Sequence, residues 1–237
     1  MHIQLANDYR DMSAQTADFI VGELKRRPNL LLCASAGGTP TGPYEQLAMR
    51  HARRPQLFRK MRVVQIDEWV GPSPPHPATC RYDLQTKLLS PLTIDRSRFR
   101  GFKSDCADPH IETMKMSEWL AKNGPIDICI LGLGLNGHIA MNEPSDRLIP
   151  HAHVSKLTAQ SQKHAMLATL KRKPNRGLTL GMADIMASGT ILLLVNGPKK
   201  RAILKRTLES QVTTRLPASF LHLHPNVVVF CDRAAAA

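Results

Sequence analysis

The chain has 237 residues, 43% of them hydrophobic, which is enough to bury one sizeable core and points to one domain. No run of 18 apolar residues occurs, which excludes a membrane-spanning helix, and residues 1–10 lack the basic-then-apolar layout of a secretory leader. The net charge of +13 is uneven: residues 1–144 carry +3 and residues 145–237 carry +10, an imbalance suited to an anionic partner, either a small phosphorylated molecule or nucleic acid. Aromatic residues make up only 5% and none interleaves with the basic clusters, and no helix-turn-helix or zinc-finger spacing is present, so nucleic acid is disfavoured. Cys33, Cys80, Cys106, Cys129 and Cys231 are odd in number and form no C-x-x-C pair, a pattern of reduced thiols in a cytoplasmic protein. Cys33 and Cys129 read as core residues inside strands.

In chain order, residues 29–35 read as an apolar strand and 40–50 as the helix that follows. A second strand, 61–66, ends at Asp67-Glu68, and after a proline-rich loop residues 78–89 read as helical. A short strand at 99–102, a helix at 110–122 and a buried strand at 126–131 come next. Residues 157–172 are basic and irregular to helical, and a strand near 177–180 precedes a short helix from Ala183. A strand at 190–195, a helix at 199–210 and a strand at 226–231 follow, and Ala234 to Ala237 read as an unstructured tail. Strands separated by helices over this length predict an α/β fold: a doubly wound, mostly parallel sheet with helices on both faces.

The most informative segment is Gly132-Leu-Gly-Leu-Asn-Gly-His-Ile-Ala-Met-Asn-Glu-Pro144. It places His138, with Glu143 close behind, at the carboxyl end of a buried strand, where open α/β sheets collect their active sites. A histidine so placed can take and return a proton near neutral pH. Gly132, Gly134 and Gly137 also fit the dinucleotide fingerprint G-x-G-x-x-G, but Pro144 closes the stretch before a long helix can develop. No second strand ending in an acidic residue follows at the required distance, so no nicotinamide or flavin cofactor is expected.

Three further strand ends carry chemistry. Ser35-Ala-Gly-Gly-Thr39 is a glycine turn before a helix, with hydroxyls and free amides that suit an anion; an ordinary tight turn with a capped helix reads the same way. At Asp67-Glu68 two adjacent carboxylates point to opposite faces if the strand continues, so at most one shares a site with His138, and a helix cap or a surface acid is the alternative. In Gly197-Pro-Lys-Lys200 the lysines oppose the dipole of the helix they open, which an anion bound there would explain; otherwise they are solvated charges.

Together these segments resemble the glucosamine-6-phosphate deaminase/isomerase family, which shares its fold with the 6-phosphogluconolactonases. The resemblance runs from Asn29 to Asp232. Residues 34–42 look like the family's phosphate loop; Asp67-Glu-Trp-Val-Gly with His76-Pro resembles its aspartate-bearing segment; Gly134 to Pro144 is close to its "G-x-D-G-H-I-A-F-N-E-P" signature. The N-E-P ending disfavours the lactonase branch.

The resemblance implies that Asp67 moves a proton between C2 and C1 of an opened amino sugar phosphate. It implies that His138 opens the pyranose ring and that Glu143 orients the imidazole. Ser35, Ala36, Gly37, Gly38, Thr39 and Lys200 would hold the 6-phosphate. No cofactor and no metal are needed. The partner would be a small sugar phosphate rather than nucleic acid or membrane, and relatives range from monomers to hexamers, so a homo-oligomer is compatible. Asn136 departs from the family's usual aspartate; galactosamine-6-phosphate isomerases resemble this chain there, which tilts the expectation toward the galacto substrate. The family's lid arginine aligns with Leu167 in a basic lid around 153–176, where Lys163, His164, Lys171 or Arg172 would have to substitute. The basic pair of the allosteric site in some relatives falls on His153 and Ser155, so that regulation is not expected. Two alternatives remain: lactone hydrolysis, and a non-catalytic sugar-phosphate sensor.

Overall fold

The computed structural model describes residues 1–209 and 211–236. In chain order the elements are β1 (His2–Ala6), α1 (Tyr9–Arg26), β2 (Leu31–Ala34), α2 (Thr41–Arg53), β3 (Arg62–Gln65), β4 (Asp67–Trp69), α3 (Cys80–Leu84), β5 (Phe99–Arg100) and α4 (Pro109–Asn123). They continue with β6 (Ile128–Gly132), β7 (His153–Lys156), β8 (Arg176–Thr179), α5 (Met182–Met186), β9 (Thr190–Val195), α6 (Arg201–Glu209), β10 (Val227–Asp232) and α7 (Arg233–Ala236). Seven strands form one parallel sheet in the order β1-β10-β9-β6-β2-β3-β5.

The central strands are apolar because both of their faces are covered. Alternate side chains go to opposite layers. Leu31 and Cys33 of β2 join Cys129 and Leu131 of β6 and Leu193 of β9 on one side. Leu32, Ala34, Ile128, Ile130, Leu192 and Leu194 face the other. Cys33 and Cys129 are register partners, both fully buried and free. Helix α1 closes the second layer through Met12, Thr16, Ile20 and Leu24, spaced four apart on one face, and Asp8 caps it by accepting from Asp11 N–H at 2.8 Å. The strand β1 and helix α1 precede the first predicted element. The strand signal is weak because Ile3 and Leu5 sit exposed on an edge, whereas the Asp8 cap and the four-residue spacing were legible.

Three expectations need correction. Residues 177–180 do not extend the parallel sheet: β8 pairs antiparallel with β4 and with β7 in a separate three-stranded sheet. The chain therefore leaves the main sheet at Ile66, and Asp67 starts a new strand rather than ending the old one. The alanine tail is helical over Arg233–Ala236, because Asp232 caps it by accepting from Ala235 N–H at 2.8 Å and Ala235 is buried. Ala237 and Ser210, the latter the predicted end of the helix at 199–210, lie outside the described residues. No described helix is long and apolar enough to cross a membrane.

Candidate active site

The carboxyl ends of β2, β3 and β6 surround a cavity of about 480 Å³, within the range of small-molecule sites. Asp67, His138, Lys200 and the whole of Ser35–Thr39 line it. The glycine turn, the carboxylate and the Lys199-Lys200 turn thus open into one space, although they are separated by up to 165 residues in sequence.

The Asp67-Glu68 ambiguity resolves as a division of labour. Glu68 is fully buried and accepts from the backbone N–H groups of Trp69 (2.8 Å), Cys80 (2.9 Å) and Arg81 (2.8 Å) and from Gln65 Nε2 (3.0 Å). It therefore holds the start of α3, the helix-cap alternative made real. Asp67 faces the cavity instead. Burial, reinforced by the negative charge of Glu68, raises the Asp67 pKa to about 7, against an opposing hydrogen bond from the Cys80 thiol. A carboxyl tuned to neutrality can exchange protons in both directions.

His138 is set by an acceptor network behind it. Glu143 Oε2 lies 3.4 Å from its Nδ1, and Ser161 Oγ lies 3.5 Å from the same nitrogen. With a carboxylate accepting at Nδ1, the lone pair of the neutral ring sits on Nε2, the atom left for the cavity. Glu143 is itself held by Asn136 Nδ2 at 2.9 Å, by Thr158 N–H at 3.3 Å and hydroxyl at 3.2 Å, and by a short bond from Ser161 Oγ. Burial pushes its pKa up, but His138 and these donors outweigh it and hold the carboxyl at about 2. Asn136 also accepts from His138 N–H at 3.2 Å, so it braces the turn from both sides as a neutral residue. No helix follows this turn. Residues 133–152 run through turns, with Gly137 at φ +86° and Ala140 at φ +51°.

Gly134 has a steric job. A Cβ built there would lie 2.5 Å from three atoms of the His138 ring. Gly134→Ala is expected to displace the imidazole and lower kcat by about 10²-fold with little change in Tm; unchanged kcat would refute that placement.

The anion loop differs from the simple expectation of free amides. Gly37 N–H is already used, donating to Asp83 Oδ2 at 2.9 Å, and Asp83 also pairs with Lys87. Tyr9 OH lies 2.9 and 3.0 Å from the carbonyls of Gly38 and Thr39, which turns the Thr39 N–H away from Tyr9, because C=O and N–H oppose each other across a planar peptide. Ser35 lines the cavity, and its Oγ is buried without a protein partner. Lys200 donates to Leu133 O, and burial lowers its pKa.

In the basic segment, Leu167 is fully buried against Trp69 and Met141, so the aligned position cannot supply a cation. Of the four substitutes, Lys163 and His164 line the cavity. Arg172 lines a different one beside Gly71, and Lys171 lines neither. The His164 ring packs against Trp69 with centroids 5.7 Å apart, and burial followed by repulsion from His138 and Lys200 lowers its pKa. Thr158, Ser161, Asp83 and Lys87 were missed by sequence reasoning. Single hydroxyls and acids in loops carry no local signal.

The strand ends of a parallel α/β sheet thus gather a carboxyl raised toward neutrality, a carboxylate-backed imidazole, a hydroxyl-bearing glycine loop and a lysine around one cavity. Comparison with known proteins gives the lineage. Residues 6–230 match the family described as glucosamine-6-phosphate isomerases/6-phosphogluconolactonase, and the chain belongs to that family. A glucosamine-6-phosphate deaminase of Geobacillus sp. (strain WCH70) is 36% identical over 236 residues, 98% of this chain and 93% of the relative. The solved structure of a monomeric glucosamine-6-phosphate deaminase superposes with a TM-score of 0.95 at 30% identity, covering 100% of this chain and 99% of that one. A 6-phosphogluconolactonase from Trypanosoma brucei has a TM-score of 0.77 at 20% identity over 99% of this chain and 97% of its own, a likeness of fold alone.

Proposed function

We propose that the chain is an amino sugar 6-phosphate deaminase that converts glucosamine 6-phosphate or galactosamine 6-phosphate, with water, to a ketohexose 6-phosphate and ammonia. The observation that carries this reading is the opening of Asp67 and His138 into one cavity rimmed by Ser35–Thr39 and Lys200. His138 Nε2 relays a proton from the anomeric hydroxyl to the ring oxygen, opening the pyranose, while Glu143 stabilises the transient imidazolium. The ionised Asp67 takes the proton from C2 and returns it to C1. Hydrolysis of the resulting C2 iminium releases ammonia. Ser35 Oγ, Thr39 N–H and Lys200 hold the phosphate, with Lys163 and His164 in the place of the family's lid arginine. The close relationship to named deaminases supports this reading over lactone hydrolysis, in which Asp67 has no evident job.

Asn136 bears on the epimer. It supplies no charge near His138, and the galacto substrate remains the favoured one on that ground alone. A side-by-side ammonia-release assay on the two 6-phosphates tests both levels: turnover of either supports the deaminase, turnover of neither refutes it, and the ratio decides the epimer. Lys200→Ala is expected to raise KM by about tenfold or more, the cost of one lost charge-assisted contact, with a smaller effect on kcat; an unchanged KM would remove Lys200 from the phosphate site.

A further inference from the structure

We infer a second anion site, distinct from the active-site cavity, for a small phosphorylated molecule. It is a cavity of about 310 Å³ at the β5 edge of the main sheet. Five cationic side chains line it: Arg81, Arg96, Arg100, Lys103 and Lys115. One carboxylate, Glu112, faces them, and it is buried with Oε1 accepting from the Lys103 backbone N–H at 3.1 Å. Among the described residues none of the five makes an ion pair. The acids nearest in sequence are engaged elsewhere: Asp95 pairs with Arg98 at 3.4 Å, and Asp108 caps α4 by accepting from His110 N–H at 2.8 Å. Asp105 lines the neighbouring cavity across Lys103 and Lys115.

Five like charges gathered around a single carboxylate repel one another, and an anion between them would lower that cost. A second observation points the same way. Arg100 Nε is buried with no acceptor, although a buried guanidinium donor left unmade is expensive. An incoming phosphoryl oxygen is the acceptor that such a donor fits, and the arginine fork matches it in shape. Arg81 is pre-positioned, its guanidinium 5.3 Å from the Phe99 ring centroid. The floor of the cavity is Gly101, where a Cβ would meet Gln65 Oε1 at 2.5 Å. Gln65 in turn donates to Glu68 and to the carbonyl of Asp67, so the site backs onto the strand that carries the cavity-facing carboxyl.

The site does not depend on the deaminase reading, and the test keeps the two apart. The 237-residue chain is titrated calorimetrically with inorganic pyrophosphate at low salt, in parallel with Lys200→Ala and with the double variant Lys103→Glu/Lys115→Glu, whose positions are exposed and outside the active site. The expected result is one saturable equivalent that survives Lys200→Ala, weakens at least about tenfold in the double variant, and fades as salt is raised. The double variant should release ammonia at the parental rate. Arg100→Met should weaken the same equivalent. If no equivalent survives Lys200→Ala, or if the surviving one is indifferent to the double variant, the site is refuted. Binding that never saturates, or that a duplex RNA shows and pyrophosphate does not, would equally overturn it in favour of a diffuse basic surface.

Discussion

Asp67→Asn should abolish ammonia release, lowering kcat by about 10³-fold or more, and at the same time make the protein more stable above neutral pH. The two effects have one cause. Burial and the Glu68 charge hold the Asp67 pKa at about 7, well above its ordinary 3.8. Between those two values the folded chain keeps a proton that the unfolded chain has lost, so stability falls as pH rises from about 4 to about 7 and is flat beyond. Three pKa units correspond to up to about 4 kcal/mol. The amide cannot ionise, so the variant escapes this loss. Urea unfolding of parent and variant should show the difference moving toward the variant between pH 4 and pH 8, while other titrations cancel. In the parent, kcat/KM should climb through an apparent pKa near 7, because only the ionised carboxyl accepts the C2 proton. A variant that loses activity with no gain at pH 8 would contradict the assignment of the raised pKa to the aspartate.

The second large effect belongs to Glu143. Glu143→Gln keeps the shape but puts an amide among donors from Asn136, Thr158 and Ser161, and removes the charge beside His138 Nδ1. The expected result is a fall in kcat of about 10²-fold with KM nearly unchanged, since the phosphate loop is untouched. Stability should respond with the sign opposite to that of Asp67. The Glu143 pKa is held at about 2, below its ordinary 4.5. Its contribution is therefore present above pH 4.5 and disappears as pH falls through about 2. About 3 kcal/mol is the upper bound for that contribution, and the parent should lose its advantage over the variant in that acid window. A matching acid unfolding curve for the two proteins would refute the network.

What the sequence made legible was periodic or motif-borne. The runs 29–35, 126–131 and 190–195 read as buried strands because both faces are apolar, and the strands found there, Leu31–Ala34, Ile128–Gly132 and Thr190–Val195, are buried except at Gly132 and Thr190, which are half-buried. His138 and Glu143 stood in one short segment, and the segment folds as one acceptor network. The three-stranded sheet was illegible because β4 has three residues and β7 four, too few to show a period. Asp67 and Glu68 could not be told apart locally. Only the tertiary position of α3 adds the backbone donors of Cys80 and Arg81 to that of Trp69 at Glu68 and leaves Asp67 to the cavity. Ser161 was hidden for a related reason, lying 18 residues from Glu143 with no pattern to join them.

The most direct test is made in deuterated water, with the parent and Asp67→Asn each supplied with the 6-phosphate that proves to be the better substrate. If one carboxyl shuttles the hydron, the parent should yield ammonium and a ketose phosphate together, with deuterium at C1 to the extent that the protonated carboxyl exchanges with solvent before the transfer to C1, and the variant should yield neither. Labelled product forming at comparable rates in both proteins would show that some other group does the work and would overturn the account.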